Sequence, residues 1–391
     1  MPKVAEVRNI RDFENLEAVW DELLRKSPDN DVFSSWEWLY SWWKIFGKGR
    51  VLRILVAKEK GEIWGIAPLM LSKYKFLHFG KLHKLEFIGS PQSDYNNFIL
   101  VKKKTACLRL FLNYLVSLSD WDYLELKELR SETFAANFFL KVRNKLSNLE
   151  CKPGSICPYI SLPRSDECFS KKLSRNMRRN LHKRMRRLRK NYRVEFKTHE
   201  DFNSIEKAMN IFFDLHQKRW RAKGKCGVFA NKAIRDFHME VAKRFAKKGW
   251  LSLYFLTAND KPIAAIYSFD YKNKKYGYLT GFDPAYRMYG VGSLLRLYVV
   301  EDSIRRGLKE YDLTRGNEPY KADWANAVRR NLEIRAVNKG INAVTYHLAT
   351  KNDTLKFYLG KFGKPIVLDS PQFPLSKVSR VENYHVEDFH Q

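Results

Sequence analysis

The hydrophobic pattern changes its period repeatedly along the chain, and the changes are clearest in the second half. Short runs of alternating apolar residues predict strands, and apolar residues that recur every three or four positions predict amphipathic helices. Gly224, Gly249 and Gly307 follow three of the helical runs, where helix C-caps favour glycine. The predicted elements are strand 193–197, helices 202–222 and 232–248, strands 251–257, 262–270 and 275–282, helix 293–306, strand 309–313, a short helix 320–326 and strand 332–337.

The first half of the chain repeats this order of elements. Residues 11–17 (RDFENLE) resemble residues 200–206 (EDFNSIE), and the apolar run 51–57 matches the run 251–257. Such self-similarity predicts an internal duplication within a mixed α/β protein. The predicted elements are strand 4–8, helices 12–26 and 35–46, strands 51–57, 62–71 and 84–89, helix 104–118, strand 122–127, helix 132–146 and strand 156–161.

A glycine turn separates strand 275–282 from helix 293–306 in the second copy. Gly290 and Gly292 let the backbone bend until several amide N–H groups point at one spot, and the helix that follows adds the positive end of its dipole. The turn is therefore predicted to hold a pyrophosphate, although a turn without a ligand has the same pattern. The first copy has residues 90–97 (SPQSDYNN) at this place and lacks such a cradle.

Composition favours a folded protein of two or three domains. The chain has 391 residues, of which 45% are hydrophobic and 14% aromatic. Its five cysteines lack the spacing of a metal site, so we expect reduced thiols and no metal. The first residues do not resemble a signal peptide, and no apolar run approaches the roughly 18 residues of a membrane span. A cytoplasmic protein is expected.

A basic segment lies between the two copies and contributes 12 of the net 29 positive charges, between Lys171 and Arg193. An apolar residue recurs every three or four positions, which predicts an amphipathic helix over 169–193, with residues 165–167 as its cap and acidic first turn. Three interpretations remain open: a linker helix, a platform for RNA or tRNA phosphates, and a membrane-surface helix. The apolar residues are Phe169, Leu173, Met177, Leu181, Met185 and Leu188.

This order of elements resembles the GNAT superfamily of acyl-CoA N-acyltransferases, and the run Arg287-x-x-Gly290-x-Gly292 matches its Q/R-x-x-G-x-G/A signature. Two copies, of which only the second has the glycine turn, resemble the double-GNAT proteins of the FemAB-like and CelD-like type. The resemblance covers roughly residues 1 to 340. Further motifs that carry it are His216-Gln-Lys-Arg219-Trp220, Gly281-Phe-Asp283-Pro284 and Arg315-Gly316-x-x-x-Tyr320-Lys321.

The resemblance implies two tandem GNAT-like domains, each with a mixed, largely antiparallel twisted sheet flanked by helices. Residues 1–162 would form a degenerate N-terminal domain without a pyrophosphate loop, and residues 193–340 a C-terminal domain with an acyl-CoA loop. Residues 163–192 would form the basic linker helix between them. Residues 341–391 are expected to form a helix near 350–361 and a tail.

The activity implied by the resemblance is transfer of an acyl group, expected to be acetyl, from acyl-CoA to an amine by direct attack through a tetrahedral intermediate. The acyl-CoA is a co-substrate, and no metal is required. Its pyrophosphate would be held by Arg287 and by the amides of Gly290, Val291, Gly292 and Ser293. A lysine-like amine costs about 4 to 5 kcal/mol to deprotonate at pH 7, so a general base is expected.

The catalytic candidates have structural alternatives. Tyr320 corresponds to the tyrosine that many GNAT enzymes use as the acid for the leaving thiolate. Asp283 is either catalytic or the turn residue before Pro284, and His216 is either a base or a core residue on the apolar stripe of its helix. Asp312 is either catalytic or paired with Arg315. The substrate-binding candidates are Arg219, Trp220, Arg315 and Lys321.

Two other functions fit the same fold. A FemAB-like enzyme would take an amino acid from aminoacyl-tRNA and form a peptide bond on a cell-envelope precursor or a protein. A catalytically inactive pair of domains would bind RNA or another polyanion through the basic helix. The enzyme interpretations require the glycine turn to open into a cleft, whereas the binding interpretation requires only a continuous positive face.

Overall fold

The computed structural model describes residues 1–75, 81–143, 149–165, 169, 171, 173–338 and 380–381. Within these residues the chain forms two compact units: unit 1 contains residues 1–156 and 329–338, and unit 2 contains residues 157–328 and 380–381. The predicted helix near 350–361 lies outside the described residues, as do Asp166 and Glu167 of the predicted cap. No helix in the described part of the chain is long and apolar enough to cross a membrane.

Unit 1 is built on a sheet with the strand order β1-β2-β3-β4-β6-β13. The first four strands are antiparallel neighbours, β4 is parallel to β6, and β6 is antiparallel to β13. The elements along the first half of the chain are β1 (Lys3–Val7), α1 (Ile10–Asn15), α2 (Glu17–Lys26), α3 (Trp36–Phe46), β2 (Val51–Glu59), β3 (Glu62–Lys75), β4 (Lys81–Phe87), β5 (Ile99–Leu100), α4 (Lys104–Val116), β6 (Tyr123–Arg130), α5 (Phe134–Val142) and β7 (Leu149–Ser161).

Unit 2 is built on a sheet with the strand order β7-β12-β11-β10-β9-β8. Strands β8 to β11 are antiparallel neighbours, β11 is parallel to β12, and β12 is antiparallel to β7. The elements along the second half are α6 (Arg175–Asn191), β8 (Val194–Thr198), α7 (Ile205–Arg221), α8 (Lys232–Lys247), β9 (Leu251–Ala258), β10 (Lys261–Tyr271), β11 (Lys274–Phe282), α9 (Val291–Arg305), β12 (Glu310–Asp312), α10 (Pro319–Trp324), β13 (Ala327–Val337) and β14 (Arg380–Val381).

The two sheets share one plan, as the predicted duplication requires. In each unit four antiparallel strands are followed by a parallel fifth strand and an antiparallel sixth. The sixth strand comes from the other half of the sequence: residues 331–337 of β13 pair with β6 in unit 1, and residues 159–161 of β7 pair with β12 in unit 2. The structure therefore places residues 157–161, at the end of the predicted first domain, in unit 2, and residues 329–338, at the end of the predicted second domain, in unit 1.

The tryptophan-rich helix α3 belongs to the core of unit 1. Trp36, Trp38 and Trp42 are at most 3% exposed. Their indole N–H groups donate to acceptors within the unit: Trp36 to the Phe13 carbonyl at 3.0 Å, and Trp38 to the Ser93 hydroxyl at 2.8 Å. Burial with a satisfied N–H shows that these rings are used for packing.

The basic helix α6 lies on unit 2 with its apolar side inward. Leu181 and Leu188 are buried in the core of that unit, and Met177 and Met185 pack against it. The described helix begins at Arg175, after the predicted start, because the Ser174 side chain caps it by accepting from the Met177 amide. Most of its arginines and lysines remain exposed, so the predicted amphipathic character is confirmed.

Candidate functional site

The glycine turn joins β11 to α9 through a short 3-10 helix, Pro284–Tyr289. Gly290 has a left-handed backbone, with φ 63° and ψ 38°, and serves as the N-cap of α9 without any side-chain cap. Its amide donates to the Arg287 carbonyl at 3.0 Å, and the Ser293 amide donates to the Gly290 carbonyl at 2.9 Å. Among the described residues, the amides of Val291 and Gly292 have no acceptor, so two N–H groups remain for a ligand at the positive end of α9.

The turn opens into a small cavity of about 240 Å³. A Cβ atom on Gly292 would lie 3.7 Å from Phe282 Cδ1 and 4.0 Å from Thr280 Cγ2, which is ordinary van der Waals contact. The glycine therefore leaves space that a ligand can use. The cavity is lined by Arg219, Thr280, Phe282, Arg287, Gly290, Val291, Gly292, Ser293, Arg296 and Tyr320.

Strand β11 provides an open edge beside this cavity. It pairs with β12 only through residues 274–276, so in the described structure residues 277–282 have no strand partner on that side. Gly277 lies against the ring of Tyr311, where a Cβ atom would come within 2.7 Å of the hydroxyl oxygen. The two parallel strands thus separate towards the glycine turn, and an extended ligand can lie along β11.

Two arginines from different helices reach the same part of β11. Arg219 of α7 donates through Nη1 to the Thr280 carbonyl at 2.8 Å, with its guanidinium 5.3 Å from the centre of the Phe282 ring. Arg296 of α9 donates to the Thr280 hydroxyl at 3.4 Å and is only 7% exposed. Burial lowers the pKa of Arg219, and the positive charge of Arg296 acts in the same direction.

Tyr320 lies where this cavity meets a larger one of about 830 Å³. Its ring lies 4.5 Å below the Arg296 guanidinium, and its hydroxyl forms no hydrogen bond with any described residue. Ser293 lines both cavities as well. The larger cavity reaches the basic helix α6 and is lined by Phe169, Leu173, Ser174, Met177, Asn180, Leu181, Arg184, Ser293, Tyr320, Ala322, Asp323, Trp324, Ala325 and Asn326.

Residues 175–322 match the family model for the acetyltransferase (GNAT) domain. The chain carries a GNAT domain. The matched range contains the glycine turn, whose residues Val291 and Gly292, with acceptor-free amides, line the cavity. No curated protein matches the sequence.

Similarity to solved structures covers most of the chain. FemX has a TM-score of 0.61 and 10% identity, covering 88% of this chain and 99% of FemX. A conserved protein of unknown function from Bacteroides thetaiotaomicron has a TM-score of 0.53 and 10% identity, covering 86% of this chain and all of that protein, 100%. A tandem GNAT protein from the clavulanic acid biosynthesis pathway has a TM-score of 0.47 and 11% identity, covering 86% and 99% of the two chains. At 10% identity, the similarity to FemX shows a shared fold alone.

Two acidic candidates of the GNAT domain have structural partners. Asp283 caps the 3-10 helix by accepting from the Ala285 amide at 3.0 Å, and its other oxygen lies 3.7 Å from Lys261 Nζ. Asp312 is fully buried in β12 and accepts from the Thr314 amide at 2.7 Å. Neither residue lines the cavity at the glycine turn.

His216 lies in the core of the GNAT domain. It is 2% exposed, and its Nε2 accepts a hydrogen bond of 3.0 Å from the Trp220 indole. Burial, assisted by the charge of Arg219, lowers the pKa of His216 to about 4. The imidazole is therefore neutral near pH 7, and its acceptor nitrogen is occupied by Trp220.

The two buried histidines are expected to make the folded protein less stable at acidic pH. His216 and His238 have pKa values of about 4 and about 3 in the folded protein, below the ordinary 6.5. The unfolded chain therefore binds more protons, and each histidine should lower the free energy of unfolding by roughly 1.4 kcal/mol per unit as the pH falls below about 6.5. Urea unfolding at several pH values should show a shallower decline for His216→Gln than for the wild type. Equal slopes would contradict the burial argument.

The remaining candidates follow β12, Arg315 in the loop and Lys321 on α10. Lys321 is 3% exposed, and its ammonium group donates to the carbonyls of Thr314 and Arg315 at 3.2 and 2.7 Å and pairs with Glu318 at 3.0 Å. These bonds tie α10, which carries Tyr320, to the loop that precedes it. Arg315 contributes its carbonyl here, and neither it nor Lys321 lines the small cavity.

Sequence reasoning did not identify Thr280, Phe282, Arg296 or Arg184 as site residues. Arg296 follows Gly292 by one helical turn, and residues at that spacing share a helix face. This signal was present in the sequence. Arg184 of α6 lies so close to the turn that a Cβ atom on Gly290 would be 2.6 Å from its Nη1. Only the tertiary packing of α6 brings it there.

Proposed function

We propose that the chain is a tandem-GNAT N-acyltransferase that moves an acyl group, expected to be acetyl, from acyl-CoA to an amine acceptor. The observation that carries this proposal is the pair of acceptor-free amides, Val291 and Gly292, opening into a cavity that also contains Tyr320. The GNAT family model and the open edge of β11 support it further.

Donor binding follows from the geometry of the turn. The two amides and the dipole of α9 favour a negatively charged oxygen group, and the exposed Arg287 on the cavity wall adds a positive charge. We assign the pyrophosphate of CoA to this place. The pantetheine arm would then run along the open edge of β11 and bring the thioester towards Tyr320.

The reaction proceeds by direct attack. The amine nitrogen forms a bond to the thioester carbon, the tetrahedral intermediate collapses, and the carbon–sulfur bond breaks. The thiolate takes its proton from the Tyr320 hydroxyl, which lines the cavity and has no competing partner among the described residues. The geometry favours Tyr320 over Asp283, Asp312 and His216, because those three are engaged in a cap, a turn and the core. The amine proton leaves through water to a base that we do not assign.

The tandem organisation is part of the proposal. We assign residues 1–162, apart from the exchanged strand 157–161, to a degenerate GNAT-like domain, and residues 193–340, apart from the exchanged strand 329–337, to the competent one. The basic helix lies between them in the sequence. The shared order and direction of six strands in each unit supports this assignment. The degenerate domain has residues 90–97 in place of the glycine turn.

Calorimetric titration of the purified protein with acetyl-CoA tests the proposal directly. We expect saturable binding with a Kd in the range of about 1 μM to 1 mM, typical of enzyme substrates, that persists at raised salt. A folded protein that binds neither acetyl-CoA nor free CoA would refute the assignment of the donor.

A second candidate is transfer from aminoacyl-tRNA. The specific observation that favours it is the position of α6, whose exposed basic side reaches the glycine turn through Arg184. A polynucleotide on this helix would end beside the transfer cavity. An inactive protein that binds RNA would use the same surface.

Charge reversal on α6 tests the RNA-binding candidates. Changing Arg178, Arg179, Arg186 and Arg187 to Glu removes four sites for phosphates. We expect tRNA binding to weaken and the slope of log K against log salt to decrease in magnitude by about 3, since each phosphate contact contributes about 0.7 to 0.9. Acetyl-CoA titration of the same variant is the control for folding. An unchanged slope would show that these arginines do not contact RNA phosphates and that α6 serves only for packing.

A further inference from the structure

The two arginines that reach β11, Arg219 and Arg296, form no ion pair with any described residue. The Nε atom of each is buried without a hydrogen-bond acceptor among those residues. Arg296 instead stacks on Tyr320 at 4.5 Å and lies 5.9 Å from the Trp324 ring. The charge of Glu318 favours the charged form of Arg219, but no ion pair joins these two residues, and Glu318 pairs with Lys321 instead.

Such a pair is unfavourable without an anion. Two like charges that converge on one small cavity repel each other, and burial removes the water that would otherwise solvate them. Their positions are nevertheless fixed from two helices, because both donate to Thr280, one to the carbonyl and one to the hydroxyl. Fixed guanidinium groups with unused N–H donors match a planar anion such as a carboxylate.

The pair lines the same cavity as the proposed pyrophosphate donors but is anchored at a different point. The acceptor-free amides and Arg287 lie at the turn, whereas Arg219 and Arg296 meet at Thr280 on β11, where the acyl group and the attacking amine come together in the proposed function. Arg296 also lies beside the buried Tyr311 hydroxyl. Burial raises the pKa of Tyr311, and the positive charge of Arg296 acts against this rise. The two arginines therefore face the reacting end of the donor.

We propose that Arg219 and Arg296 bind a carboxylate carried by one of the two reactants, so that the enzyme is specific for an acidic acyl group or for an amino-acid acceptor. This inference rests on the proposed function and adds the substrate class to it. The two sources of the carboxylate present the same chemistry to the arginines, and only an experiment with separate arms distinguishes them.

The first arm measures binding of two thioesters that differ in one group. Succinyl-CoA ends in a carboxylate where butyryl-CoA ends in a methyl group. The second arm supplies acetyl-CoA and compares acetylation of a pool of amino acids with that of the matching amines that lack the carboxylate, by mass spectrometry. We expect one arm to favour the carboxylate-bearing member by about tenfold to a hundredfold, as for a hydrogen bond to a charged group.

Variants assign this preference to the arginines. Arg296→Gln and Arg219→Gln should bring the preference close to one, because each weakens the carboxylate-bearing member more than its neutral match, and Arg296→Lys should restore part of the preference. Arg305→Gln, on the same helix but half-exposed and paired with Asp302, is the matched control and should keep the full preference. The measured Tm of each variant checks the fold, because each substitution relieves a buried charge but also removes a hydrogen bond to Thr280.

Three outcomes are decisive against the inference. Equal treatment of both members in both arms, with CoA bound and acetyl transferred, refutes the carboxylate site and leaves the proposed function standing. Weaker binding of free CoA by Arg296→Gln, with the preference unchanged, assigns the arginines to the pyrophosphate. Absence of any CoA binding by the wild type refutes the proposed function and this inference together.

Discussion

Replacing Gly292 with valine is expected to abolish CoA binding while the protein remains folded. The Gly292 backbone is not left-handed, and a Cβ atom there would meet its nearest neighbours at 3.7 and 4.0 Å, so the larger side chain fits the unliganded protein. Its methyl groups would instead fill the space in front of the amides of Val291 and Gly292. Losing two charge-assisted hydrogen bonds of about 1.5 to 3 kcal/mol each should raise the Kd roughly 10² to 10⁴-fold.

Titration calorimetry with CoA measures this effect, and circular dichroism checks the fold. Gly292→Ala should give an intermediate Kd because one methyl group only narrows the cavity. Ala285→Val adds similar bulk to the neighbouring 3-10 helix at an exposed position that does not line the cavity, and it should bind CoA normally. If Gly292→Val is folded and binds CoA like the wild type, the pyrophosphate lies elsewhere.

Replacing Tyr320 with phenylalanine is expected to lower kcat by about 10² to 10⁴-fold with little change in donor affinity. Tyr320 lines both cavities and its hydroxyl bonds to no described residue, so loss of the hydroxyl should not destabilise the fold. The ring would keep its contact with Arg296. Single-turnover measurement of thiol release from acetyl-CoA isolates the chemical step from binding.

Tyr298→Phe provides the matched control for that experiment. Tyr298 is on α9 like the turn residues, but its ring stacks on Phe196 at 3.9 Å and does not line either cavity. The control should retain the full rate of thiol release. A Tyr320→Phe enzyme as fast as this control would exclude Tyr320 as the acid and direct attention to water.

The sequence predicted individual elements of the GNAT domain closely. The strand predicted at 275–282 is β11 (Lys274–Phe282), and the helix predicted at 293–306 is α9 (Val291–Arg305). These predictions succeed because the hydrophobic period and the glycine signals are local. Strand partners are not local, and the alternating pattern of residues 156–161 does not show which sheet they join. The exchange of the sixth strands was therefore missed.

The candidate site was predictable to a similar degree. The glycine turn, Arg219 and Tyr320 were identified from motifs, and the cavity brings them together. The partners of Asp283 and Lys321 could not be predicted from the sequence, because an aspartate or a lysine looks the same there whether it caps a helix or contacts a substrate. Nothing in the sequence marked Thr280 and Phe282 as site residues, because a pattern of alternating apolar residues does not show which edge of the strand lacks a partner.

Gly281 holds the backbone of α7 directly against β11. A Cβ atom at this position would come within 2.5 Å of the His216 amide nitrogen and 2.8 Å of the Leu215 carbonyl carbon. One turn further along the helix, Arg219 reaches the residue that precedes Gly281. For protein engineering, this main-chain contact sets a constraint, because any side chain at position 281 would push the helix away from the strand. Libraries that vary Arg219 and Thr280 to change the specificity of the cavity should therefore keep Gly281.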